Sequence, residues 1–151
     1  MKIESFLAKN PKAAAKIKHA ISDLRHAERD LKHALHDLKH AKADCAHAIK
    51  DFDHLIEDFE HALADWKAGG SRAGHASSDY LHAGRDKAHA VKDLQHALRD
   101  ITHALADFKH SARDLAHLDK DLAQVAAMAA KQGIRLPLKD LKAHVLRSAK
   151  A

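Results

Sequence analysis

The sequence predicts an all-α fold: a long antiparallel helical hairpin of coiled-coil type with a short C-terminal helix, dimerising into a four-helix bundle. Three observations predict it. The chain of 151 residues is 46% apolar but only 4% aromatic, with five glycines and two prolines, a composition that points to helix and little else. A seven-residue repeat runs through residues 19 to 123, and such self-similarity governs the architecture before any local reading does. Within the repeat, apolar side chains alternate at spacings of three and four, the seam of a coiled coil or helix bundle.

The elements follow in chain order. Residues 1 to 18 form a basic segment and helix start, with five Lys/Arg against one acidic residue. Asn10-Pro11 is a cap residue followed by proline in the first turn, so the first arm begins there. Residues 19 to 67 are its heptads, with HAISDLR, HALHDLK and HALADWK as good copies. AGGSRAG, residues 68 to 74, overwrites one heptad without disturbing the phase. Its three glycines cost a helix about 3 kcal/mol against alanine, so a turn is expected there. The second arm spans residues 75 to 131 and stops at Gly133. Residues 133 to 151 then place Leu138, Leu141, Val145 and Leu146 on one face of a short basic helix, suited to folding over the open end or binding a partner.

A helical wheel at about 100° per residue separates the residue types in each heptad. His lies at about 0°, Asp at about 40°, the usual Ala at about 100°, the sixth-position residue at about 140° and the third at about 200°. The sixth position holds Leu24, Leu31, Leu38, Cys45, Phe52, Phe59 and Trp66, then Tyr80, Leu94, Ile101, Phe108, Leu115 and Leu122. The third includes Ile21, Leu35, Ile49, Ile56, Leu63, Val91, Leu98 and Leu105. The two arms are expected to bury these stripes against each other. Two helices alone do not cover a stripe about 100° wide, hence the expected dimer of hairpins.

The polar side of the wheel is less ordinary. Fourteen heptads open with His and place Asp four residues later, leaving only His36 and His144 of the sixteen histidines out of phase. The first arm carries His19/Asp23, His26/Asp30, His33/Asp37, His40/Asp44, His47/Asp51, His54/Asp58 and His61/Asp65. The second carries His75/Asp79, His82/Asp86, His89/Asp93, His96/Asp100, His103/Asp107, His110/Asp114 and His117/Asp121. Both His-to-Asp and Asp-to-His spacings bring side chains together on a helix surface, so the pairs form a ladder. Neutral imidazole is a common ligand for Zn, Cu(II), Ni and Co, and Asp either ligates directly or orients the ring. Four-coordinate zinc needs more than one pair, so complete sites must borrow from a neighbouring arm, the next His or water. All twenty-eight residues are therefore candidate ligands for divalent transition metal ions, in a protein of storage, buffering or delivery. One cysteine and two methionines argue against Cu(I).

A structural alternative stands beside this one. A His/Asp pair four apart also forms a surface ion pair of a few tenths of a kcal/mol. A ladder of such pairs would zip helices into filaments or layers, in an assembly that dissolves as imidazoles charge below about pH 6.

The repeated HAxxDL pattern, over residues 19 to 67 and 75 to 123, resembles the His-rich heptads of small metal-binding proteins of bacteria, short helical-bundle proteins. The resemblance implies binding of copper and other divalent ions. Those proteins are exported and usually pair His with Glu, whereas this chain uses Asp.

Charge and motifs narrow the remaining classes. The formal charge of +5 is concentrated at the two ends, and residues 19 to 123 carry fifteen basic against nineteen acidic residues. Nucleic acid or an acidic surface would be met only through the basic ends. No phosphate loop, CxxC pair, HExxH or nucleophile motif is present, so an enzyme is not expected. Cys45 occupies an apolar seam position, where a small buried thiol is expected. The N-terminal apolar cluster is shorter than a signal-peptide core, and no apolar run has membrane-spanning length, so the expected location is the cytoplasm.

Overall fold

The structure, a computed structural model, describes residues 2–150, Lys2 by its backbone alone. Among the described residues every regular element is an α-helix: α1 (Lys2–Lys9), α2 (Pro11–Ala68), α3 (Arg72–Ala130) and α4 (Leu138–Lys150). The long helices α2 and α3 pack against each other, and α4 is the short C-terminal helix.

Local chemistry explains each break. Asn10 separates α1 from α2: its Nδ2 donates to the Phe6 carbonyl at 2.8 Å, satisfying an end of α1, while its own carbonyl accepts from Ala14 N at 3.0 Å to open α2. Between α2 and α3, Gly69 and Gly70 adopt left-handed backbone with φ of 68° and 62°. Side-chain-bearing residues reach that region only at a cost of about 1–2 kcal/mol each, which is why consecutive glycines mark the reversal. At the end of α3, Ile134 N donates to Ala129 O and Gly133 N to Ala130 O, both at 3.0 Å, with Gly133 at φ 69°. This pair of bonds around a left-handed glycine is a Schellman stop.

The chain forms two compact units: unit 1 comprises residues up to 34 and from 105 onward, and unit 2 comprises Leu35–Ala104. In both, the surface between α2 and α3 differs from the expected apolar seam. In unit 1 the buried heptad positions are Ala13, Ala20, Ala27 and Ala34 facing Ser111, Leu118 and Val125. In unit 2 they are Ala41 and Ala48 against Ala76, Ala83, Ala90, Ala97 and Ala104. The in-phase aspartates are half-buried beside these residues, and Asp23 is buried. Exposure rises around the wheel from there: Phe52, at a sixth position, is 37% exposed, and Ile49, at a third, is 61% exposed.

The helices thus meet along a direction of about 70° on the wheel, between the Asp and Ala columns, which also alternate at three and four. Small side chains allow helix axes to approach toward the lower end of the 8–10 Å range. The larger stripe is too broad and too bulky to be enclosed by one neighbour. In an antiparallel pair the sense of rotation reverses with chain direction, so residues at the same wheel angle fall on the same side. Within each unit the apolar stripes of α2 and α3 therefore share one face, and their histidines share the opposite one.

In unit 1, α1 and α4 cover part of the apolar face, while Leu31, Leu105, Phe108 and Leu115 stay exposed. Phe6, Ile17, Leu122, Val125, Leu136, Leu141 and Val145 form a buried cluster with Leu7, Ile21 and Leu24 packed against it. Arg25 Nε donates to the Ala149 carbonyl at 3.1 Å and Lys142 pairs with Asp119 at 2.8 Å, tying α4 down at both sides. In unit 2 the face is open: Trp66 is 70% and Leu98 is 65% exposed. Phe59 and Tyr80 meet edge to face near the turn, with ring centroids 5.7 Å apart.

Candidate metal centre

The seam position of the aspartates and the outward position of the histidines decide what the ladder does. Along one helix the expected i,i+4 pairing is made once among the described residues: His19 Nδ1 lies 3.3 Å from Asp23 Oδ2. His19 also reaches across to α3, where Nδ1 is 2.8 Å from Asp121 Oδ2. The tautomer protonated at Nδ1 donates this hydrogen bond, and a metal ion would take the place of that proton. One ligand atom from each of His19, Asp23 and Asp121 lies within 4.8 Å of the others. Among the described residues this is the group with metal-ligand spacing.

Burial and charge distinguish its members. Asp23 is 6% exposed, and its Oδ2 is buried without a hydrogen-bond partner, the 3.3 Å approach of His19 lacking bonding geometry. An unsatisfied buried carboxylate oxygen costs free energy that a cation or donor would recover. Asp121 accepts from Lys16 Nζ at 2.9 Å through its other oxygen. Burial alone would raise the Asp121 carboxyl, but hydrogen bonds and charge from Lys16 and His19 outweigh it and hold its pKa below the usual carboxylate range. Asp121 is therefore an ionised oxygen donor at neutral pH. With imidazole nitrogen and two carboxylates, the set suits a borderline divalent ion with a fourth position left for water or another ligand.

The other candidate ligands keep the same placement without closing on one another. In α2, His26, His33, His40, His47, His54 and His61 are exposed, while Asp30, Asp37, Asp44, Asp51, Asp58 and Asp65 are half-buried. In α3, His75, His82, His89, His96, His103, His110 and His117 are exposed, and Asp79, Asp86, Asp93, Asp100, Asp107 and Asp114 are half-buried. The ladder is thus split: its carboxylates line the helix–helix seam and its imidazoles stand at the rim.

Two participants lie outside the in-phase ladder. Lys16 occupies the Asp position of the degenerate heptad KAAAKIK just upstream of the repeat, and the continued phase is the signal that could have placed it opposite Asp121. His36, out of phase, brings its ring centroid to 4.3 Å from that of His40, one turn on. Its i,i+4 spacing was the available signal.

Comparison with known proteins returns no match: no family model fits the chain, and no curated protein or solved structure is significantly similar to it.

Proposed function

We propose that the chain binds divalent transition metal ions, of the class of Zn, Cu(II), Ni and Co, through its His/Asp ladder, in storage, buffering or delivery. The observation that carries this reading is the His19, Asp23 and Asp121 group, which gathers three ligand atoms from two helices around a buried carboxylate oxygen that has no hydrogen-bond partner. His19 supplies the borderline nitrogen donor, Asp23 and Asp121 the anionic oxygens, and Lys16 offsets one negative charge through the other oxygen of Asp121. The resemblance of HAxxDL to the heptads of small bacterial metal-binding proteins agrees with it. Equilibrium dialysis against each ion, counted by elemental analysis, tests the reading: several ions per chain are expected, and fewer than about two at micromolar free metal overturns multi-site binding.

A second reading, assembly of copies of this chain, is favoured by the open apolar face of unit 2, where Ile49, Trp66 and Leu98 are mostly exposed. Contiguous apolar surface of this kind marks an association site. A second hairpin laid on that face makes the four-helix arrangement in which each stripe is covered. The sequence-based alternative, assembly through the His/Asp ladder itself, would instead use the opposite face. Light scattering in chelator separates the two: assembly through the apolar face persists as pH falls through the imidazole range, whereas ladder-mediated assembly dissolves.

A further inference from the structure

We propose that the metal sites are shared between the two long helices, each ion being held by two histidines and two aspartates, one pair from α2 and one from α3. This rests on the metal-binding reading above and assigns its ligand sets. The argument is one of register. Facing residues of α2 and α3 have numbers that add to nearly the same value in each unit. In unit 1, Ser111 Oγ donates to the Ala27 carbonyl at 3.1 Å, giving 138, and His19 meets Asp121, giving 140. In unit 2, Phe59 meets Tyr80, giving 139. The register is therefore the same in both.

An antiparallel pair with one register is two-fold symmetric in its positions, and the heptad phase survives the turn, so the residue types obey the same symmetry. By this symmetry His117 is placed to reach Asp23 as His19 reaches Asp121, their numbers again adding to 140, although the His117 ring is exposed and stands outside the group of His19, Asp23 and Asp121. Asp23 Oδ2 is the buried oxygen left without a hydrogen-bond partner. With its ring turned toward Asp23, His117 would complete the group of His19, Asp23 and Asp121 as one site of two nitrogens and two oxygens. That is a complete tetrahedral set for zinc or cobalt.

The same arithmetic places further sets inside each unit. In unit 1, His26 and Asp30 stand against His110 and Asp114; in unit 2, His47 and Asp51 stand against His89 and Asp93. Their aspartates are half-buried along the seam, and among the described residues none of these four forms an ion pair within 4 Å. Carboxylates drawn partly out of water beside an alanine seam would be stabilised by a cation between each two pairs. The shared arrangement also explains why the turn replaces a whole heptad: both arms keep the phase that the two-fold pairing needs.

The test is a double-substitution cycle read by metal stoichiometry. Co(II) is titrated into the full chain and followed by its visible absorption, with bound metal counted after desalting. His26→Gln and His110→Gln should each remove one tight ion, and the double variant should remove that same one, because the two rings serve one site. The rings are exposed, so helical circular dichroism should not change. Loss of two ions by the double variant overturns sharing, since the sites would then belong to single helices. A second variant keeps the question open to failure: glutamine at every in-phase histidine of α3 should abolish the tight class, and retention of half the ions at unchanged affinity overturns the proposal. If the unsubstituted chain binds no Co(II), the metal reading itself fails, and that result is distinct from either of these.

Discussion

Units 1 and 2 are built from the same heptad and differ in what lies on its apolar face. Both pack α2 on α3 through the alanine and aspartate columns. In unit 1 part of the stripe is covered by α1 and α4, so that Ile17 and Leu122 are buried against Leu141 and Val145 of α4, while Leu31, Leu105, Phe108 and Leu115 stay exposed. In unit 2 equivalent residues remain in solvent, with Leu63 55%, Trp66 70% and Leu98 65% exposed. The difference teaches that a heptad with a small-residue column satisfies a two-helix contact without using its large side chains. A buried methyl-sized group contributes only about 0.8 kcal/mol, so the alanine seam is a weak source of stability on its own. The large residues stabilise the fold only where a third layer reaches them.

The largest expected effect comes from truncating the covered face. Leu141→Ala, at a fully buried site in α4, should cost about 2–5 kcal/mol in urea unfolding followed by circular dichroism. Leu98→Ala, on the open face, should cost less than about 0.5 kcal/mol in the monomer. Equal costs, with the Leu98 effect growing with protein concentration, would show that a second chain completes unit 2 as α1 and α4 complete unit 1.

A smaller effect is expected from overfilling the seam. Ala90→Leu, at a fully buried position of unit 2, should destabilise by about 1–3 kcal/mol because the helices must separate to admit it. The same substitution at Ala112, exposed on α3 in unit 1, should be nearly neutral. A neutral Ala90→Leu would mean that the seam of unit 2 is looser than that of unit 1.

The smallest effect concerns pH and belongs to unit 1 alone. The Asp121 pKa is lowered in the folded chain by Lys16 and His19 against the opposing effect of burial. A lowered folded value means that the ionised carboxylate contributes stability above its unfolded pKa of about 3.9 and loses it as pH falls through the lower folded value. Asp121→Asn should remove that contribution at neutral pH and flatten this part of the acid-unfolding profile, so that the difference from the unsubstituted chain shrinks as pH falls. An unchanged profile would show that the Lys16 and His19 contacts do not persist in solution.

Much of this was legible in the residues. Composition and the three-four spacing indicate helices, the glycines at 69, 70 and 133 lie where backbone with positive φ ends them, and Asn10-Pro11 opens α2. The candidate site was visible as a ladder, because two ionisable residue types recur every seven positions. Its division into seam and rim was not. On the wheel, His and Asp are only about 40° apart, and nothing in a single helix says that one of them will face a neighbour.

By itself the sequence determined which residues share a helical face, how many turns apart they lie, and where each helix stops, since these follow from backbone geometry and local propensity. Only the tertiary structure decided which face meets the other arm. The largest apolar side chains looked like the natural seam, yet α2 and α3 approach along alanine, because two antiparallel helices come closest where side chains are smallest. That choice carries the aspartates into the interface, leaves the histidines at its edge, and brings Asp23 and Asp121, distant in sequence, to one imidazole. A wheel records angles within one helix; the identity of the neighbour comes from the shape of both.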